Sequence, residues 1–211
     1  MNLSRIPSFR LAPTAVALLL AGLSAHAAAT GVVVHDSYGP DIDQLTGWPT
    51  PLFDGQNVAI AFSLAQGATL ESILTSVDGQ GSVTLGILAR SGAVPTAGSW
   101  LYSAQLNDPL ANTLLTPSGW TLAAGNYWLV AVAGAGFSGQ WQSGTDTPNG
   151  SWAYSSGSTW TTVDSPFTGM PAARITVAAA VPEPSTYGLL LAGGLFVAAA
   201  ARRSASRNTQ G

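Results

Sequence analysis

The chain of 211 residues has no cysteine and no lysine, only two histidines, and a charged fraction of 8%. Without cysteine there is no disulfide framework and no thiolate nucleophile. One or two imidazoles without thiolates cannot supply the usual zinc or transition-metal ligand sets. His26 sits in a leader-like segment, so His35 is the one histidine left for a Ser-His-Asp arrangement, and no Gly-x-Ser-x-Gly elbow accompanies it. A glycosidase needs two carboxylates facing one sugar bond, but Glu71 is the only glutamate of the central region and the aspartates lie mostly in turn contexts. The expectation is a protein that is not an enzyme and carries no cofactor.

Positive charge is scarce where it would count. Between residues 28 and 180 only Arg90 and Arg174 stand against nine acidic residues, a formal charge of −7. A partner of nucleic acid needs clustered cations to displace counterions, so no nucleic-acid role is expected.

The remaining arginines mark the two ends. Arg5 and Arg10 precede an apolar run, Leu11 to Leu23, and Ala25-His26-Ala27 supplies small residues around one polar one. That order is a secretory signal peptide over 1–27, cleaved at Ala25 and Ala27 and passed through the Sec translocon. At the other end Val181-Pro182-Glu183-Pro184-Ser185 precedes an apolar run over 187–201, stopped by Arg202 and Arg203 within a basic tail, 202–211. Prolines keep the preceding chain extended, and arginines hold the terminus on the cytoplasmic side. Fifteen residues at about 1.5 Å each reach about 22 Å, short of the roughly 30 Å hydrocarbon core. Gly193-Gly194 weakens the helix further, which suits a segment handed to another membrane protein rather than a permanent anchor.

These residues resemble the PEP-CTERM sorting signal, in which a Pro-Glu-Pro motif, an apolar segment and an arginine cluster are recognised by the membrane enzyme exosortase. The resemblance spans Val181 to Arg203. It implies processing near Pro182 to Pro184, transient anchoring by a single C-terminal transmembrane helix, and delivery to the surface or exopolysaccharide matrix of a Gram-negative bacterium. It implies no activity for the domain between the two ends.

That domain, 28–180, is large enough to bury about two-thirds of its unfolded surface. Short β-rich runs separated by Gly, Pro, Asn and Ser recur along it, without apolar residues at helical spacing. Eleven strands are expected: Gly31 to His35, Asn57 to Leu64, Leu70 to Val77, Ser82 to Ala89, Trp100 to Gln105, Trp120 to Leu122, Asn126 to Ala133, Gly139 to Gln142, Trp152 to Ser155, Thr159 to Val163 and Ala172 to Val177. The class is all-β, an antiparallel, jelly-roll-like β-sandwich. Tyr127, Leu129 and Ala131 alternate with Trp128, Val130 and Val132, so this strand has two apolar faces and belongs in the centre of a sheet. Ala123-Ala124-Gly125-Asn126 is expected to turn a hairpin into it. The segment Ser118 to Val130, and more weakly Ser82 to Tyr154, is similar to the choice-of-anchor β-sandwich domains of bacterial surface proteins.

Two candidate sites remain. Asp36, Asp41 and Asp43, with Gly39 and Pro40 between them, are a weak calcium candidate. Among seven tryptophans, Trp141, Trp152 and Trp160 lie in a Gly-, Ser- and Thr-rich stretch; core packing is the first expectation for each, and stacking of exposed rings on sugars is the alternative. The functional expectation is a structural or adhesive surface protein of an exopolysaccharide or biofilm layer, with a carbohydrate-binding module as the alternative.

Overall fold

A computed structural model describes residues 31–40, 42–43, 45, 48–96, 99–146, 151–163 and 169–179, together with residues 188, 190, 191 and 193–195 of the tail. Among them are fourteen strands: β1 (Val32–Asp36), β2 (Thr50–Phe53), β3 (Val58–Leu64), β4 (Ala68–Thr75), β5 (Val77–Gln80), β6 (Ser82–Ala89), β7 (Tyr102–Asn107), β8 (Thr113–Leu115), β9 (Thr121–Leu122), β10 (Gly125–Ala133), β11 (Ser138–Trp141), β12 (Trp152–Ser156), β13 (Thr159–Val163) and β14 (Ala173–Val177). The eleven expected strands are all present, with ends moved by at most two residues. β2, β5 and β8 are additional.

Every described pairing is antiparallel. One sheet runs β1-β14-β4-β8, with β9 also on β4; a second runs β13-β12-β3-β10-β6-β7; a third, smaller one runs β2-β11-β5. Alternate residues of the two larger sheets meet in one apolar cluster. Val58, Ile60 and Phe62 of β3, Leu85 and Ile87 of β6, and Leu129 of β10 face Leu70 and Ile73 of β4 and Ile175 of β14. Burying each such side chain contributes roughly 1.5–3 kcal/mol, which makes this layer the main source of stability.

β10 lies between β3 and β6, with Leu129 opposite both Ile60 and Ile87. Its second face, with Trp128 and Val130, packs on Ala59, Ala61 and Ala153 beneath the half-buried Leu88, Trp100, Val132 and Trp160. The Arg90 guanidinium lies 4.7 Å from the centre of the Trp128 ring, so the cation covers the indole from outside. Close approach is required at Gly86, where an added Cβ would fall 2.6 Å from both Trp100 Cε3 and the Tyr102 carbonyl.

The hairpin expected at Ala123 to Asn126 is not formed. Leu122 and Thr121 pair with Ala68 and Thr69 of β4, whereas Gly125 is opposite Leu64 of β3, so the segment crosses from one sheet to the next. The Tyr127 hydroxyl donates to the Ala123 carbonyl at 2.8 Å. This is a tyrosine corner, which satisfies a backbone acceptor left open where the chain changes sheets. Tyr102 fastens the same crossing from outside: it stacks on Trp120 at 5.4 Å, and its hydroxyl donates to the Thr121 carbonyl at 3.0 Å.

β1 and β14 are antiparallel partners, with Val32 opposite Val177, so the described chain enters and leaves the sheets at the same pole. The small sheet caps the other pole. β4 starts near the exit, where Ala178 N donates to the Thr69 carbonyl, and after Thr75 the chain passes through Ser76 into β5.

Candidate functional sites

Asp36 is committed to the fold. One carboxylate oxygen accepts from Arg174 Nε at 2.8 Å, and the other accepts from the backbone N–H of Tyr38 at 3.0 Å. Arg174 also donates to the Gly39 carbonyl at 3.0 Å, so the cation closes the loop after β1 onto β14. Asp41 lies outside the described residues, and Asp43 is engaged in an interaction of its own. Among the described residues no group of three or more His, Asp or Glu is placed to hold a metal ion. The acidic loop candidate is therefore reduced, at Asp36, to an ion pair.

His35 is the residue before that pair. It is buried, its Nε2 has no hydrogen-bond partner, and desolvation lowers its pKa from 6.5 to about 4 against the opposing pull of Asp36. A neutral, enclosed imidazole with its outer nitrogen unpartnered is a packed side chain. Tyr38, three residues further on and fully buried, has its phenol pushed well above the ordinary value by desolvation.

The tryptophan trio does not form a stacking platform. Trp141 is fully buried, and its Nε1 donates to the Ala172 carbonyl at 2.9 Å, which pins β11 to the start of β14. Trp152 is buried in the same core, 6.2 Å from the Tyr154 ring. Only Trp160 is half-buried, and it belongs to the cluster on the second face of β10. The sugar-binding reading fails at Trp141 and Trp152 because both rings are buried, and near Trp141 the glycines mark close backbone approach rather than solvent. At Gly79, for example, an added Cβ would lie 2.7 Å from Gly139 Cα and from the Phe137 ring.

A cleft that the sequence reading passed over opens on the small sheet. Its volume is about 750 Å³, and it is lined by Asp78, Gly79, Gln80, Asp108, Leu110 and Ser138. A second, more apolar groove of about 480 Å³ lies at the opposite pole, between Val32, Leu64, Ala68 and Ala179, where the chain leaves the sheets.

Past that exit the structure describes Gly188, Leu190, Leu191 and Gly193 to Leu195 as helical, with all three leucines more than half exposed. Among the described residues no helix is long and apolar enough to cross a membrane. The expected signal peptide with Ala25 and Ala27, the motif Val181 to Ser185, and Arg202 and Arg203 lie outside the described residues. Residues 180–204 match the PEP-CTERM protein-sorting motif, one residue beyond the expected span at each end. The chain thus carries a signal that directs exported proteins to exosortase and the cell surface. No curated protein matches the chain.

Proposed function

We propose that this is a non-catalytic surface protein: a choice-of-anchor-like β-sandwich exported behind a cleaved signal peptide, held briefly by a C-terminal membrane helix, and processed by exosortase to become a structural or adhesive component of an exopolysaccharide layer. The observation that carries the reading is the PEP-CTERM motif, which begins in the sequence three residues after the end of β14. The domain's own groups support it. The histidine is enclosed and neutral, and the aspartate beside it is spent on Arg174, so the residues most suited to acid–base work serve packing instead.

Mass spectrometry of the protein recovered from the cell surface and the medium tests this. The expected mature form starts at Ala28 and ends near Pro182 to Pro184. Recovery of an extracellular form that retains residues 187–211, or confinement of the chain to the cytosol, refutes it.

A further inference from the structure

Opposite residues in an antiparallel ladder share a face, so the registers of the small sheet place Phe53, Ser138 and Gln80 side by side, with Pro51, Gln140 and Asp78 in the next row of the same face. The other face, with Leu52, Val77 and Trp141, is buried in the core. The outward face is mixed: Phe53 is 48% exposed, and its neighbours are amides, a hydroxyl and a carboxylate. It continues into the 750 Å³ cleft through Ser138, Gln80 and Asp78, and Leu110 and Asp108 form the far wall.

The cleft is braced from behind. Asp108 takes a left-handed backbone conformation (φ 45°), and its carboxylate accepts from Gly81 N–H at 2.7 Å. Gly79 N–H donates to the Pro109 carbonyl at 3.0 Å, so the wall that carries Leu110 is bonded to the sheet at two points. Little ordering would remain for a ligand to impose.

The surface combines an exposed aromatic ring, an exposed leucine, two carboxylates and two amides, with no cation, among the described residues, on the face or lining the cleft. Sugar rings present the matching chemistry: an apolar C–H face for an aromatic ring, and hydroxyls that donate to carboxylates and exchange hydrogen bonds with amides. An anionic polymer would set its charge against Asp78 and Asp108 with nothing to offset it. We propose that this cleft binds a segment of uncharged polysaccharide, with one hexose ring on Phe53 and its hydroxyls on Asp78, Gln80 and Gln140. The proposal rests on the surface-protein reading and gives that protein a ligand class and a site. Its position supports display: β4 spans eight residues, about 26 Å, between the exit pole and the small sheet, so the cleft lies at the pole opposite Ala179.

Affinity electrophoresis of the intact purified protein tests it, in gels cast with dextran, laminarin or mannan as uncharged polymers and with alginate as the anionic one. At least one uncharged polymer is expected to retard the protein, and alginate is not. Phe53→Ala is expected to weaken binding about tenfold, the scale of losing one central aromatic contact. Gln80→Ala, also exposed, is expected to weaken it in the same direction, with thermal melting curves of both variants unchanged. The proposal is overturned if no uncharged polymer retards the protein, if alginate retards it equally, or if both variants migrate like wild type. Any of those results leaves the mature termini, and so the sorting reading, untouched.

Discussion

Acidification is the perturbation to which the buried imidazole should be most sensitive. His35 has an ordinary pKa of 6.5 in the unfolded chain and about 4 in the fold, where burial disfavours its charged form. Between those values the unfolded state binds a proton that the native state refuses, so stability is full above pH 6.5 and falls as the pH drops toward 4. At ~1.4 kcal/mol per pH unit, the loss is about 3 kcal/mol by pH 4. That is a large part of the 5–15 kcal/mol typical of a domain. Urea unfolding followed by tryptophan fluorescence between pH 7.5 and 4 measures it. In His35→Gln, which cannot titrate, the decline in this window should be about 3 kcal/mol shallower, whatever the variant's stability at neutral pH. An identical decline in wild type and variant would refute the assignment of acid sensitivity to this side chain.

Other perturbations test the packing. Tyr127→Phe removes the hydroxyl that serves the Ala123 carbonyl and is expected to cost about 1–2 kcal/mol in urea unfolding. Trp141→Ala empties a fully buried site and frees its bond to Ala172, with an expected loss of about 3–5 kcal/mol, enough to depress soluble yield as well as the melting temperature. Gly86→Ala forces a methyl group against the Tyr102 backbone and the Trp100 ring, with an expected loss of about 1–3 kcal/mol in the same assay. Arg174→Ala breaks a partly exposed ion pair and should cost no more than about 1 kcal/mol in calorimetry, since solvent screens the pair.

The central strand was legible because both of its faces are apolar: one meets the main core, and the other is covered by Trp100, Trp160 and the Arg90 guanidinium. Ser82–Ala89 could be read to the residue, since Val83, Leu85 and Ile87 alternate cleanly. The strands that escaped lacked this signal. β2 contains Pro51, which reads as a break although an edge strand tolerates it; β5 offers one apolar residue in four; β8 is three residues long. Phe53, the exposed aromatic of the sheet face that leads into the proposed cleft, went unnoticed for the same reason as its strand. The crossing at Leu122 to Asn126 was misread because turn chemistry is local, whereas the choice between pairing with β10 and pairing with β4 is made by residues more than fifty positions away. Trp141 could be read two ways, with core packing the more expected, because glycine reports small size, and smallness serves a crowded interior as well as an exposed loop; the structure places it in the core.

The antiparallel pairing of β1 with β14, and of β14 with β4, has a mechanical meaning. Tension applied between Ala179 and the small sheet runs along these strands rather than across them. Loaded in that direction, the cross-strand hydrogen bonds share the force and yield together, instead of parting one after another like a zipper. A domain pulled from Ala179 while held at the far pole is thereby loaded in shear across the β1-β14-β4 ladder.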